Sequence, residues 1–259
     1  MGHFERDTAV EPDGELVFNC RIESDWWVVA GPNGGYIGAI LSRALAAVGG
    51  ERPLRSLTVQ YLRAPKEGPA RIEVVRERVG RSVSFLSARL VQDERPAAMA
   101  MAVLADDREE SLGFDRSEPP EVSPPEELEP TPRPKELPPF GGHFDYRFAL
   151  GPPPFSGAED ALTGGWLRLS EDRSLDAALT VALTDSWPPA VFTRSTSPLA
   201  VPTLDLTVHL RGALPRPGDW VLGRFRTRVA RAGFLEEDGE LWSRDGELLA
   251  QSRQLALAV

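Results

Sequence analysis

Three polar residues in the second half of the chain have the types needed to aim one water at a carbonyl. Asp185, in TDSWPPAVF, offers a carboxylate that can accept a proton. Thr203, in VPTLDLTVHL, offers a hydroxyl that both donates and accepts, and Gln254, in LLAQSRQLALAV, offers an amide. Each residue also has a plainer reading. Asp185 and Ser186 precede Pro188-Pro189, where a helix could begin, so either could be a helix cap whose dipole keeps the carboxylate ionised. Thr203 is an ordinary strand residue. Gln254 lies in a terminal strand pattern and, if its face is buried, must find partners. In the first half, the turn GPNGGYIG (31–38) supplies Asn33, Gly34 and Gly35 at the start of a helix. Glycines there let a buried helix approach a sheet closely, and bare N–H groups at a helix start can also bind substrate oxygen or a developing oxyanion.

Other chemistries fail on spacing. The glycine turn reads G-x-x-G-G-x-x-G, not the dinucleotide G-x-G-x-x-G, and the following strand ends in Arg63 without an acidic residue. No G-x-S-x-G elbow occurs. Three scattered histidines (His3, His143, His209) and one cysteine do not make a zinc site, so no metal and no cofactor is expected. Arg78, Arg81, Arg226, Arg228 and Arg231 read as solvated strand residues, two or three of which could meet phosphates at a cleft mouth. The six tryptophans read as core.

The elements that must hold these residues form two similar series. In the first, the glycine turn opens a helix in which Ile37, Leu41, Ala44, Leu45 and Val48 recur at helical spacing. Four alternating stretches follow, at 57–63, 70–80, 82–93 and 96–106, with a hairpin turn at 93–96. In the second, a helix over 175–183 precedes strands at 204–212, 219–230 and 239–259, the last folded into a hairpin at Asp245-Gly246. Aligning the series places Asn33 on Asp185, Arg55 on Thr203 and Ala102 on Gln254. The polar trio belongs to the second copy alone. The predicted fold class is α+β: two tandem units, each a helix against an antiparallel sheet, with edge strands that could join into one sheet.

Between the copies, residues 106–139 hold eleven acidic and four basic residues together with nine prolines. This composition builds core poorly and predicts a linker draped over the surface. The expected division is an N-terminal unit over 1–107, a Pro/acidic linker over 108–157 that includes the turn-rich GPPPFSG, and a C-terminal unit over 158–259. The linker carries most of the net charge of −10, and no basic stripe exists, which argues against a nucleic-acid partner. The single Cys20 fits a reducing compartment, and no secretory signal or run of about twenty apolar residues is present, so a cytoplasmic protein without a membrane partner is expected.

Taken in order, NGGYIGAI, LTVQYLRAP, GRSVSF, VPTLDLTVHLRG and DGELLAQSRQ resemble the TesB-like acyl-CoA thioesterases, a family with two hotdog units per chain. The resemblance implies a double hotdog, a helix wrapped by an antiparallel sheet in each half, and hydrolysis of acyl-CoA thioesters without a cofactor. It implies an acyl-CoA substrate; a homo-oligomer is expected as well. It also implies that Asp185 is the catalytic aspartate, with Thr203 and Gln254 beside it, although Trp187-Pro188-Pro189 departs from the family's usual flank. A hotdog hydratase would keep a histidine where this chain has Ala190. A non-catalytic acyl-CoA or fatty-acyl binder is the alternative from another class.

Overall fold

The computed structural model describes residues 2–29, 31–132 and 138–259. A short helix α1 (His3–Asp7) and a two-residue strand β1 (Glu11–Pro12) lead into β2 (Val17–Ile22). The first unit continues with α2 (Gly34–Gly49), β3 (Leu54–Tyr61), β4 (Gly68–Val79), β5 (Val83–Gln92) and β6 (Arg95–Ala105). The second comprises β7 (Phe144–Leu150), β8 (Ala161–Leu169), α3 (Ala177–Leu183), β9 (Thr203–Leu210) and β10 (Val221–Thr227). It ends with the short β11 (Ala230–Arg231), β12 (Phe234–Ser243) and β13 (Leu248–Leu257).

The described strands form one antiparallel sheet in the order β1-β2-β4-β5-β6-β3-β9-β13-β12-β10-β8-β7, with β11 on β12. The units join where β3 meets β9, in the register Thr58↔Thr207, and those two hydroxyls lie 3.0 Å apart. Joining there leaves neither unit with an open edge at its centre. Alternation sends Leu57 and Val59 of β3, and Leu206 and Val208 of β9, to the same apolar core as α2.

Both helices start where the local chemistry requires. Asn33 caps α2, its side-chain oxygen accepting from the Tyr36 N–H at 3.0 Å, and Asp176 caps α3 through the Leu179 N–H at 2.7 Å. The glycines of α2 serve a close approach, but to the other helix more than to the sheet. A Cβ on Gly35 would sit 2.7 Å from the Ala182 carbonyl oxygen, and one on Gly38 would sit 2.9 Å from Val181. The hairpin at 93–96 forms with Asp93 and Glu94 at φ 54° and 55°, and the second turns with Gly246 at φ 85°.

Four strands preceding the helices were not anticipated: the two-residue β1, and β2, β7 and β8. β7 falls within 108–157, because Phe144, Tyr146 and Phe148 alternate along it and pack toward the core. The prolines around that stretch mask a short strand pattern. Earlier in the same segment the chain does drape over the surface. Trp166, Leu222 and Trp242 form a row on the outer side of β8, β10 and β12. Val122 and Leu128 pack on this row, Trp166 Nε1 donates to the Ser123 carbonyl at 2.9 Å, and Glu126 pairs with Arg244 at 2.7 Å. The acidic proline-rich segment thus covers apolar surface that the sheet would otherwise expose. The part of the predicted linker at 133–137 lies outside the described residues.

Candidate active site

Asp185 follows the last turn of α3. Its N–H donates to the Ala182 carbonyl at 3.2 Å, and Thr184 is the C-cap, so Asp185 does not cap a following helix. The single 3-10 turn that follows begins at Ala190 and has no side-chain cap, which also removes that role from Ser186. Position after α3 instead points the carboxylate at the start of α2 in the other unit. Asp185 Oδ2 accepts from Asn33 Nδ2 at 3.0 Å and from the Gly35 N–H at 2.9 Å, while Asn33 Nδ2 also donates to the Asp185 carbonyl at 2.8 Å. Gly34 must lack a side chain here, since a Cβ would lie 2.9 Å from Asp185 Oδ2 and 2.9 Å from Tyr61 Cζ.

The electrostatics differ from the expectation of a carboxylate held ionised by a helix dipole. The α2 amides, Asn33 and Gln254 do favour the charged form, but removal from water outweighs them, and Asp185 is pushed up to about 6. That value suits a base working near neutrality.

Thr203 and Gln254 reach the same spot by a specific irregularity. Leu255 pairs with Asp205 and Ala256 with Thr203, so Leu204 is the extra residue of a bulge. The bulge re-aims Thr203 to the inner side of the sheet, where Gln254 also points. There Thr203 Oγ1 donates to Gln254 Oε1 at 2.9 Å. Gln254 Nε2 in turn donates to Glu237 Oε1 at 3.1 Å, and the amide lies near enough to Asp185 to favour its charged form. All six residues expected to matter, Asp185, Thr203, Gln254, Asn33, Gly34 and Gly35, therefore lie in one cluster spanning the two units.

Two further residues belong to it. Glu237 sits directly opposite Gln254 on β12, is 4% exposed, and accepts the Ala190 N–H at 2.5 Å. Burial and the nearby Asp185 charge push it up to about 7. In the sequence it is one of three consecutive acids, Glu236-Glu237-Asp238, which reads as surface; only the alternation of the strand against Gln254 could have singled it out. Tyr61 donates its hydroxyl to the Gly34 carbonyl at 2.8 Å and is held well above its usual range, first by burial and then by Asp185 and Asp205. Arg226 and Arg228 are exposed on β10 and just beyond it, and Arg228 is paired with Asp238. They alternate with the inward-facing Phe225 and Thr227, on the side of the sheet away from Gln254.

Comparison with known proteins matches this architecture. Residues 120–258 match the family model of the acyl-CoA thioesterase C-terminal domain, and residues 23–105 match that of the N-terminal domain. Among solved structures, a hot dog fold protein of unknown function from Alicyclobacillus acidocaldarius is 28% identical, covering 100% of this chain and 98% of its own, with a TM-score of 0.91. A thioesterase II candidate from Thermobifida fusca is 24% identical with a TM-score of 0.88, covering 100% and 98%. The acyl-CoA thioesterase II TesB2 of Mycobacterium marinum is 19% identical with a TM-score of 0.79, covering 99% and 98%. No curated protein matches the chain. The fold is the double hotdog of these structures. Among the described residues no helix is long and apolar enough to cross a membrane.

Proposed function

The chain belongs to the acyl-CoA thioesterase family, and from that premise we propose that it hydrolyses acyl-CoA at one site per chain, with Asp185 as general base. The observation that carries this reading is the convergence of Asp185, Thr203 and Gln254. The carboxylate is anchored by Asn33 and Gly35, and the threonine proton is already given to the glutamine. A water lodged between them would donate one hydrogen to Asp185 and the other to the lone pairs of Thr203 Oγ1. Its own lone pair is then left to face the thioester carbonyl.

In the step that follows, the water oxygen bonds to the carbonyl carbon while its proton passes to Asp185. The tetrahedral intermediate collapses with cleavage of the C–S bond, and the departing thiolate recovers the proton from Asp185. The products are a free acid and CoA. Thiolate is a good leaving group, so the chain need supply no nucleophile of its own. Because the Gly35 N–H and Asn33 amide are committed to Asp185, this reading moves Asn33, Gly34 and Gly35 from contacting substrate to holding the base.

The test is thiol release from acyl-CoAs of graded chain length. The expected result is turnover by the wild type and a loss of about a hundredfold or more in kcat for Asp185→Asn. Unchanged turnover in that variant would overturn the role of Asp185. Binding of acyl-CoA with no thiol release would make the chain a carrier instead of a hydrolase.

A further inference from the structure

Glu237 is a buried carboxylate that the hydrolytic step does not use. Its oxygens accept from two donors, Gln254 Nε2 at 3.1 Å and the Ala190 N–H at 2.5 Å. The charged groups around it are few. On its own strand Glu236 and Asp238 turn to the other face, where Arg253 and Arg228 lie near them. β13 presents the neutral Gln254, and the segment after α3 presents the Ala190 N–H and, beyond Gln254, Asp185. From β9 and β3, Asp205 and Tyr61 group around Asp185. Among the described residues no arginine, lysine or histidine is paired with Glu237, so it is not half of a structural ion pair.

What Glu237 does is decided by hydrogen-bond polarity. A glutamine amide has a donor end and an acceptor end, and a threonine hydroxyl satisfies either. Thr203 alone would therefore leave Gln254 free to face it both ways. A carboxylate only accepts, and two of them, Glu237 and Asp185, flank Gln254 on its nitrogen side. The two N–H bonds of Nε2 can each take one carboxylate. Flipping the amide would set its oxygen against both. Oε1 is thereby turned to Thr203, the hydroxyl proton is drawn onto it, and the lone pairs of Thr203 are left for water.

Resting on the thioesterase reading, we propose that Glu237 is a positioning residue that fixes the polarity of the Gln254 amide and so directs the Thr203 hydroxyl to accept from the attacking water. Through the shared amide it also couples to Asp185, so the two carboxylates titrate as a pair. Its Ala190 contact ties the same carboxylate to the backbone five residues after Asp185, which holds the base and the amide in one frame.

The experiment compares wild type, Glu237→Gln and Glu237→Asp by kcat and KM across pH 5 to 9. Glu237→Gln keeps the volume but removes the acceptor-only character. We expect kcat to fall about tenfold, as for one misdirected hydrogen bond, with KM within about twofold. The wild-type kcat profile should carry two ionisations between about pH 5.5 and 7.5, and the Gln variant one. The Asp variant should recover part of kcat above pH 8. A merely structural role would lower the melting temperature and leave the profile unchanged, and that result would overturn the proposal.

A second measurement needs neither variant nor activity. The side-chain amide resonances of Gln254 in the 15N-labelled wild type should move with pH between 6 and 8; a flat response overturns the proposal. If the wild type releases no thiol from any acyl-CoA, the hydrolase reading fails while this titration still decides the link between Glu237 and Gln254. If the wild type is active, Asp185→Asn is inactive, and the Glu237→Gln profile superimposes on the wild type, the role of Glu237 fails alone.

Discussion

Replacing Asp185 by Asn should stabilise the fold while abolishing turnover, and the size of the gain follows from the site. Burial moves the Asp185 carboxyl from 3.8 to about 6, which corresponds to about 3 kcal/mol at 1.36 kcal/mol per pH unit. A folded-state pKa raised above the unfolded one means that stability is full below the unfolded value and is lost as pH rises through the folded value. The wild type therefore loses this stability between about pH 4 and pH 6, and an Asn cannot. Against the gain, the Asn oxygen can still accept from Asn33 and Gly35, but its NH2 faces the donor end of Gln254, costing about 1 kcal/mol. The net expectation is a variant about 2 kcal/mol more stable at pH 8, or about 5 °C in Tm for a chain of this size. At pH 4 the two should agree within about 1 kcal/mol. Urea unfolding at pH 4, 6 and 8 measures the difference directly. A variant less stable than wild type at pH 8, or a difference independent of pH, would refute the argument that burial strains this carboxylate.

Three further outcomes follow from the same contacts. In Glu237→Gln, where Asp185 is left to titrate alone, the acid limb of kcat/KM should have its midpoint near pH 6 and fall about tenfold per unit below it, as only the ionised Asp185 is a base; a midpoint near 4 in the pH–rate profile would contradict it. Gly35→Ala places a Cβ 2.7 Å from the Ala182 carbonyl and 3.0 Å from Asp185 Cβ, so it should cost about 1–3 kcal/mol in denaturant unfolding by forcing α2 from α3. Its turnover should fall as well, because the same shift moves the base. Trp166→Ala removes the anchor of the proline-rich segment, and calorimetry should show a loss of about 3–5 kcal/mol. Activity of the folded fraction should be unchanged, since this row lies on the sheet face opposite Gln254.

The sequence disclosed what periodicity and turn chemistry encode. The helix over 34–49, the four strands after it and the four longer strands after α3 follow from apolar spacing, and the two hairpins follow from their turn residues. The strands ahead of the helices were hidden for particular reasons. β8 carries Gly164-Gly165 amid LTGGWL, a pattern that weakens any strand reading, and β7 is bracketed by prolines. The candidate trio was legible as residue types and as a resemblance, but its assembly was not. No local rule states that a bulge at Leu204 turns Thr203 inward. Nor does the flank Trp187-Pro188-Pro189 reveal that Asp185 ends one helix while answering the start of another. Glu237 was concealed by its neighbours, since register against Gln254 is a long-range property of the sheet.

That contact between the helices gives a physical reason for one site per chain. The sequence alignment set Asn33 on Asp185, but the helices correct it: Asn33 caps the start of α2 as Asp176 caps the start of α3, whereas Asp185 follows the end of α3, and the two residues meet because α2 and α3 pack across the junction, Asn33 Nδ2 lying 3.0 Å from Asp185 Oδ2. Two aspartates at that distance could not both ionise, and one would be held protonated near neutrality. An Asn in the first copy removes the repulsion and adds a donor that favours the ionised base. The first copy is thus not simply a unit that has lost its chemistry. Its Asn33 and the adjoining Gly35 amide favour the charged form of Asp185 against its burial, while the register of β3 on β6 sets Leu54, and not Arg55 as the sequence alignment had it, in the place of Thr203, with Arg55 at the bulge as Leu204 is; Leu54 and Ala102 there serve core packing. The asymmetry between the copies is therefore a division of labour within a single site.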